Sequence, residues 1–227
     1  MFKDTVRGMD KVFRTDVLSP KIILVTGPPG SLKSSFIYSK MTRQLENTGE
    51  FGLYATLEET AESHLNNMDS LGLEPSLNLQ ISDFTDLRDE SDSTDYLKFT
   101  EKMITHFKKT RGDKFTCFAF DSVGALYSLI TEKREFRKKM FHFFKMLREK
   151  NLVSFIVIER GLDGTTQSLG NETFLADGII ALGLKRRQGR LIRYLQIEKM
   201  RATQHSMEMH ALEVKNGGIA ILGPIFD

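Results

Sequence analysis

Gly27-Pro-Pro-Gly-Ser-Leu-Lys-Ser34 sets a lysine and a hydroxyl directly behind a run of small residues and prolines. That arrangement suits the binding of a polyphosphate. Small residues let backbone N–H groups curl around the phosphates, and a helix N-terminus adds its positive dipole end; Lys33 can reach the β- and γ-phosphates and Ser34 can ligate Mg²⁺. The expected contact set is Gly27, Pro28, Pro29, Gly30, Ser31, Leu32, Lys33, Ser34 and Ser35. One position departs from the usual GxxxxGK[ST] spacing: the glycine before the lysine is replaced by Leu32, which adds a side chain where the loop normally has none. Asp121 follows the apolar run 115–120 and has the setting of an acid that holds the Mg²⁺ shell beside such a loop. Glu58 and Glu59 close another strand-like run, and a carboxylate there could orient or deprotonate a water attacking a γ-phosphate. Either glutamate alone is equally well accounted for as an acid favoured by a helix macrodipole.

The elements around these residues alternate between strand and helix. Residues 21–26 (KIILVT) read as a buried strand, and Ile37, Met41 and Leu45 recur at helical spacing after Lys33. A strand over 52–57 leads to a helix carrying Ala61, Leu65 and Met68 on one face, with Gly72 as its C-terminal cap. A third strand is expected near 79–81, an acidic, serine-rich loop over 83–95, a helix over 96–109, and strands over 115–120 and 152–158, the last ending at Glu159. Between those two strands, Phe136, Met140, Phe143, Phe144 and Leu147 form the apolar face of another helix. After Asp177 the texture changes to hairpins: 179–184, a turn at 186–190, 191–197 and 207–214. The expected fold class is α/β, a mostly parallel sheet flanked by helices with a C-terminal antiparallel extension. No repeat or linker divides the chain, so residues 1–227 are expected to form a single domain. In a parallel sheet Gly27, Glu58, Glu59 and Asp121 emerge at one C-terminal edge, where such folds bind their ligands.

Composition narrows the partners. With 40% hydrophobic and 27% charged residues the 227-residue chain should fold, and 32 Lys+Arg against 30 Asp+Glu gives only +2, which argues for neither a nucleic-acid nor a membrane-surface partner. Cys117 is the one cysteine, so no intrachain disulfide forms and a reducing, cytoplasmic setting is expected. No apolar stretch approaches the roughly 18–20 residues of a membrane span, and the first residues lack the apolar core of an export signal.

Taken in order along the chain, Gly8-Met-Asp10, the phosphate loop, Thr56-Leu-Glu-Glu59, Ser70-Leu-Gly72, Phe120-Asp-Ser-Val123, Phe174-Leu-Ala-Asp-Gly178 and Glu198-Lys-Met-Arg-Ala-Thr-Gln-His-Ser206 resemble a KaiC-like ATPase of the RecA superfamily. The resemblance implies a RecA-like P-loop NTPase core, ATP with Mg²⁺, and assembly into a homo-oligomeric ring, commonly a hexamer, with nucleotides at subunit interfaces. It matches Glu58 and Glu59 to the family's catalytic glutamate pair and Asp121 to its Walker B acid. Lys199 and Arg201 match the Lys-Met-Arg motif that reaches phosphates bound by a neighbouring subunit, a role akin to an arginine finger. A regulatory protein partner of unknown identity is implied too. Autokinase activity is a further implication without an assigned site, because the family's autophosphorylated segment does not align here; Thr131 is the nearest candidate. The protein that names the family carries two such domains in tandem, so a circadian role does not transfer.

Two other readings compete with a slow, ring-forming, Mg-dependent ATPase. One is a switch that holds nucleotide without hydrolysing it, which Leu32 encourages. The other is a recombinase-like DNA protein. Its DNA-contacting loop would be 160–172, which carries one Arg against one Asp and one Glu, too few cations to neutralise phosphates. DNA is therefore not an expected partner, although the basic groups at 185–187 and 108–111 leave weak binding open.

Overall fold

The computed structural model of the chain describes residues 2–84, 94–127, 133–161, 172–215 and 218–226. Among these, nine strands form one sheet: β1 (Lys21–Gly27), β2 (Phe51–Thr56), β3 (Leu79–Asp83), β4 (Phe115–Asp121), β5 (Val153–Glu159), β6 (Gly178–Arg187), β7 (Arg190–Met200), β8 (His210–Lys215) and β9 (Gly218–Pro224). Their order is β3-β2-β4-β5-β1-β6-β7-β8-β9. From β3 to β6 every neighbouring pair is parallel, and from β6 to β9 every pair is antiparallel. This is the α/β architecture the sequence predicts, with β6 as the junction strand: it runs parallel to β1 and antiparallel to β7.

The central strands are apolar on both faces because helices cover both. Along β1, Ile23 and Val25 pack with Phe36, Ile37 and Met41 of α2 (Lys33–Thr48) and with Met9 and Val12 of the short α1 (Met9–Val12). Ile22 and Leu24 point the other way, toward α4 (Thr94–Arg111) and α6 (Lys133–Glu149). The predicted apolar face of α6 is fully realised, with Phe136, Met140, Phe143, Phe144 and Leu147 all buried. Each such side chain contributes about 1.5–3 kcal/mol of transfer free energy. The second crossover helix, α3 (Ala61–Ser70), stops where predicted: Gly72 adopts φ 69°, and the N–H groups of Gly72 and Leu73 donate to the carbonyls of Asp69 and Met68 at 2.8 and 3.0 Å.

Several expectations shift. β8 begins at His210 rather than 207, and β9 has no counterpart in the sequence reading. Three short helices, α1, α5 (Val123–Tyr127) and α7 (Glu172–Leu175), are likewise additional. The N-terminal segment folds back so that Phe2, Val6, Met9 and Val12 are buried. Most of the expected acidic loop (85–93), Thr131 and residues 162–171 of the candidate DNA loop lie outside the described residues.

Candidate nucleotide site

Sheet register gathers the site. Gly27 pairs with Glu159 and Thr56 with Asp121, so the ends of β1, β2, β4 and β5 line up along one edge. Gly27 is required by a close approach, since a Cβ there would stand 2.0 Å from the Leu182 carbonyl oxygen. The chain then turns through Gly30 at φ 77°, and Ser31 closes the turn by donating its backbone N–H and its hydroxyl to the Pro28 carbonyl at 3.3 and 2.7 Å. Leu32 adopts φ 72° and ψ 31°, the left-handed conformation that glycine supplies in the usual pattern, and α2 starts at the next residue. Its side chain is half-buried against the core cluster, which offsets the roughly 1–2 kcal/mol cost of that backbone for an L-residue. The loop's turn thus persists with leucine in place of glycine. The first turn of α2 leaves N–H groups without intrahelical acceptors, pointing toward the loop.

Lys33 is buried, donates from Nζ to the Pro28 carbonyl at 3.2 Å, and stands 3.8 Å from Glu159. Burial lowers its pKa, against the opposing charges of Glu159, Asp121 and Glu58. Asp121 is only 7% exposed, and one oxygen, Oδ2, accepts hydrogen bonds from both Ser34 Oγ and Tyr54 OH at 2.6 Å. Burial raises its pKa despite these two donors, and the same burial together with Asp121 pushes the Tyr54 phenol well above its ordinary range. The hydroxyl of Ser34 and the carboxylate of Asp121 are hard oxygen donors converging on one point beside the loop, a fit for Mg²⁺.

The two glutamates part company. Glu58 accepts a hydrogen bond through Oε1 from Ser122 Oγ, next to Asp121, and its charge is felt at Lys33. Glu59 turns away into α3, where its oxygens meet His64 and Asn67. Lys199 and Arg201 are elsewhere. At the far end of β7, Lys199 pairs with Ile179 and Met200 with Gly178, so both cations stand at the opposite edge of the sheet from the loop. Lys199 Nζ donates to the Thr173 and Ala176 carbonyls at 3.0 and 2.8 Å; Arg201 is exposed and stands 3.7 Å from Asp177. Burial and the neighbouring Arg201 charge lower the Lys199 pKa.

Sequence reasoning missed three participants. Glu159 ends an apolar strand as Asp121 does, so the same signal was available for it. Tyr54, a hydroxyl inside a buried strand, was a weaker one. Arg193, which donates from Nε to the Gly30 carbonyl at 3.0 Å, has no local signal at all, since the two residues are 163 positions apart.

A glycine- and proline-rich turn between β1 and α2, a buried acid ending β4 and a mostly parallel sheet are the layout of a P-loop NTPase. The family model described as "ATPase: KaiC" matches residues 2–224, and the chain belongs to that family of ATP-binding P-loop ATPases. A UPF0273 protein of Methanopyrus kandleri is 30% identical over 95% of this chain and 89% of its own. The circadian clock protein KaiC2 of Synechocystis is 23% identical over 96% of this chain, which spans 39% of that protein's length. Among solved structures, a KaiC-like protein of Pyrococcus horikoshii superposes with a TM-score of 0.81 at 24% identity, covering 97% of this chain and 98% of the other, and shows the same fold. Among the described residues no helix is long and apolar enough to cross a membrane.

Proposed function

We propose that the chain hydrolyses ATP slowly, with Mg²⁺, as a homo-oligomeric and commonly hexameric ring whose nucleotide state is read by a regulatory protein partner. In this reading the Gly27–Ser35 loop holds the phosphates, Lys33 neutralises the β- and γ-phosphates, and Ser34 with Asp121 would hold Mg²⁺, which when bound supplies charge neutralisation on the phosphoryl oxygens. Glu58 orients and deprotonates the attacking water. Arg201, with Lys199 behind it, completes the neighbouring subunit's site.

The observation that carries the ring is the separation of these parts. Arg201 lies beside the start of β1 and the phosphate loop follows its end, seven residues on; at about 3.3 Å per residue that is some 20 Å, beyond the reach of a side chain in the same subunit. Cations placed so far from their own loop make sense when a second copy brings them to the phosphates, and hydrolysis then depends on assembly. The left-handed conformation of Leu32, the one glycine supplies in the usual pattern, favours this reading over a switch that holds nucleotide without hydrolysing it.

Light scattering with and without MgATP, on the native chain and on Lys33→Ala, with phosphate release recorded from the same samples, tests the reading. The native chain should form a ring and release phosphate, and the variant should do neither. A native chain indifferent to ATP would end the enzyme reading.

A further inference from the structure

Glu59 stands beside Glu58 in sequence but not in contacts. Its Oε1 lies 2.7 Å from Nδ1 of His64, and its Oε2 accepts from Asn67 Nδ2 at 2.9 Å, with Ser63 Oγ at 3.5 Å. Three groups from α3 therefore hold both carboxylate oxygens. His64 is fully buried, and its Nε2 has no hydrogen-bond partner among the described residues. A bare lone pair at Nε2 orphans no donor, whereas an N–H there would, so the proton belongs on Nδ1, donated to Glu59. The imidazole packs against Tyr54 at 4.5 Å between ring centroids and against Tyr38 at 5.6 Å. Tyr54 in turn gives its hydroxyl to Asp121 at 2.6 Å.

We propose that Glu59 is a positioning residue: through His64 and the ring of Tyr54 it aims the phenol at Asp121, and it does not activate the water. The inference rests on the proposed Mg-dependent ATPase and deepens it. Swinging the Glu59 carboxylate to a water at the phosphate edge would strip it of these donors and leave the His64 Nδ1–H buried and unpaired, the costlier half of losing a hydrogen bond. Glu58 has no such anchor in α3; its partner is Ser122, adjacent to the acid at the site. Because Asp121 Oδ2 is shared between Tyr54 and Ser34, a phenol that drifts leaves that oxygen free to rotate off the point where Ser34 meets it. Small misplacements of this kind matter at a phosphoryl-transfer site.

The discriminating comparison is Glu59→Ala, Glu59→Gln and Glu58→Gln in the full chain, each followed by phosphate release against Mg²⁺ concentration and by nitrogen-resolved NMR of the His64 ring. Glu59→Ala should raise the Mg²⁺ concentration for half-maximal rate about 10-fold or more, the usual effect of losing a group that orients a metal ligand. Glu59→Gln keeps an amide oxygen to accept from Nδ1, so it should recover most of that loss and keep the Nδ1 proton protected from exchange. Glu58→Gln should instead lower the saturated rate about 100-fold, without the Mg²⁺ shift. A Glu59→Gln chain as depleted in saturated rate as Glu58→Gln would overturn the inference and make Glu59 a base. Should the native chain release no phosphate, the hydrolysis reading falls separately. Mg²⁺-dependent binding of a fluorescent ATP analogue, which needs no turnover, must then still be weakened in Glu59→Ala and recovered in Glu59→Gln; equal binding in both overturns the inference.

Discussion

Lys21 donates from Nζ to the carbonyl oxygen of Arg201 at 2.8 Å, which fixes the end of β7 against the start of β1, the strand whose other end feeds the phosphate loop. The contact joins two residues 180 positions apart and sets the distance between the loop and the cations that the Lys-Met-Arg resemblance assigns to phosphate. Asp177 reinforces the corner: its Oδ2 accepts from the Ile22 N–H at 2.9 Å and from Arg148 at 3.1 Å.

Asp121 is held by Ser34 and Tyr54 through one oxygen, leaving its charge for the cation. Asp121→Asn keeps the side chain's size and its amide oxygen can still accept both of these bonds, but it removes that charge. The variant should fold, with Mg²⁺-dependent phosphate release reduced at least about 100-fold, given that even residues that merely orient a metal ligand cost 10–100-fold. Isothermal titration of MgATP alongside the rate checks that the loss lies in the metal-dependent step.

Leu32 makes an unusual stability prediction. Leu32→Gly relieves the left-handed backbone but loses the half-buried side chain, two effects of about 1–2 kcal/mol that oppose each other, so urea unfolding should move by about 1 kcal/mol at most. Leu32→Val is closer to leucine in size yet should be the more destabilising change, because a β-branched residue fits poorly at positive φ.

Lys40 is completely buried, its ammonium 4.3 Å from the Phe2 ring centroid and 5.6 Å from that of Phe155, with Gln44 as its hydrogen-bond partner. Burial lowers its pKa below the ordinary 10.5. Below the depressed value both states carry the proton; between it and 10.5 the unfolded chain binds more proton than the folded one, so stability rises with pH across that window. Lys40→Met should remove this slope. At neutral pH it should stabilise the chain by up to about 1–4 kcal/mol, the range seen when buried ionic groups give way to apolar ones. Chemical denaturation of both proteins at several alkaline pH values measures it.

The parts legible in the sequence are those encoded locally. Strand β1, helix α2 and the apolar face of α6 follow from runs and spacings within one element, and the phosphate loop from its place between two of them. Lateral order was not legible: nothing local tells that β4 lies between β2 and β5, and it is this adjacency that brings Tyr54 to Asp121 across 67 residues. The glutamate pair illustrates the limit. Sequence gives Glu58 and Glu59 the same address, and only the fold of α3, which puts His64 and Asn67 beside Glu59, separates their surroundings. Strand β9 escaped because its apolar run near the chain end is short and lacks an alternating pattern; it is buried by pairing with β8 and by α2 beneath it.

Mixing two inactive variants tests the central claim most directly. Lys33→Ala lacks the phosphate-binding lysine but keeps Arg201, and Arg201→Ala has the reverse defect. Lys33→Ala forms no ring alone, but Arg201→Ala still holds ATP in its own loop and can recruit it. If each site is built from the loop of one subunit and Arg201 of the next, the interface between the two variants is intact, and equimolar mixing should restore phosphate release that neither shows alone. A mixture as silent as its components, from samples that light scattering shows to be co-assembled, would contradict a site shared between subunits.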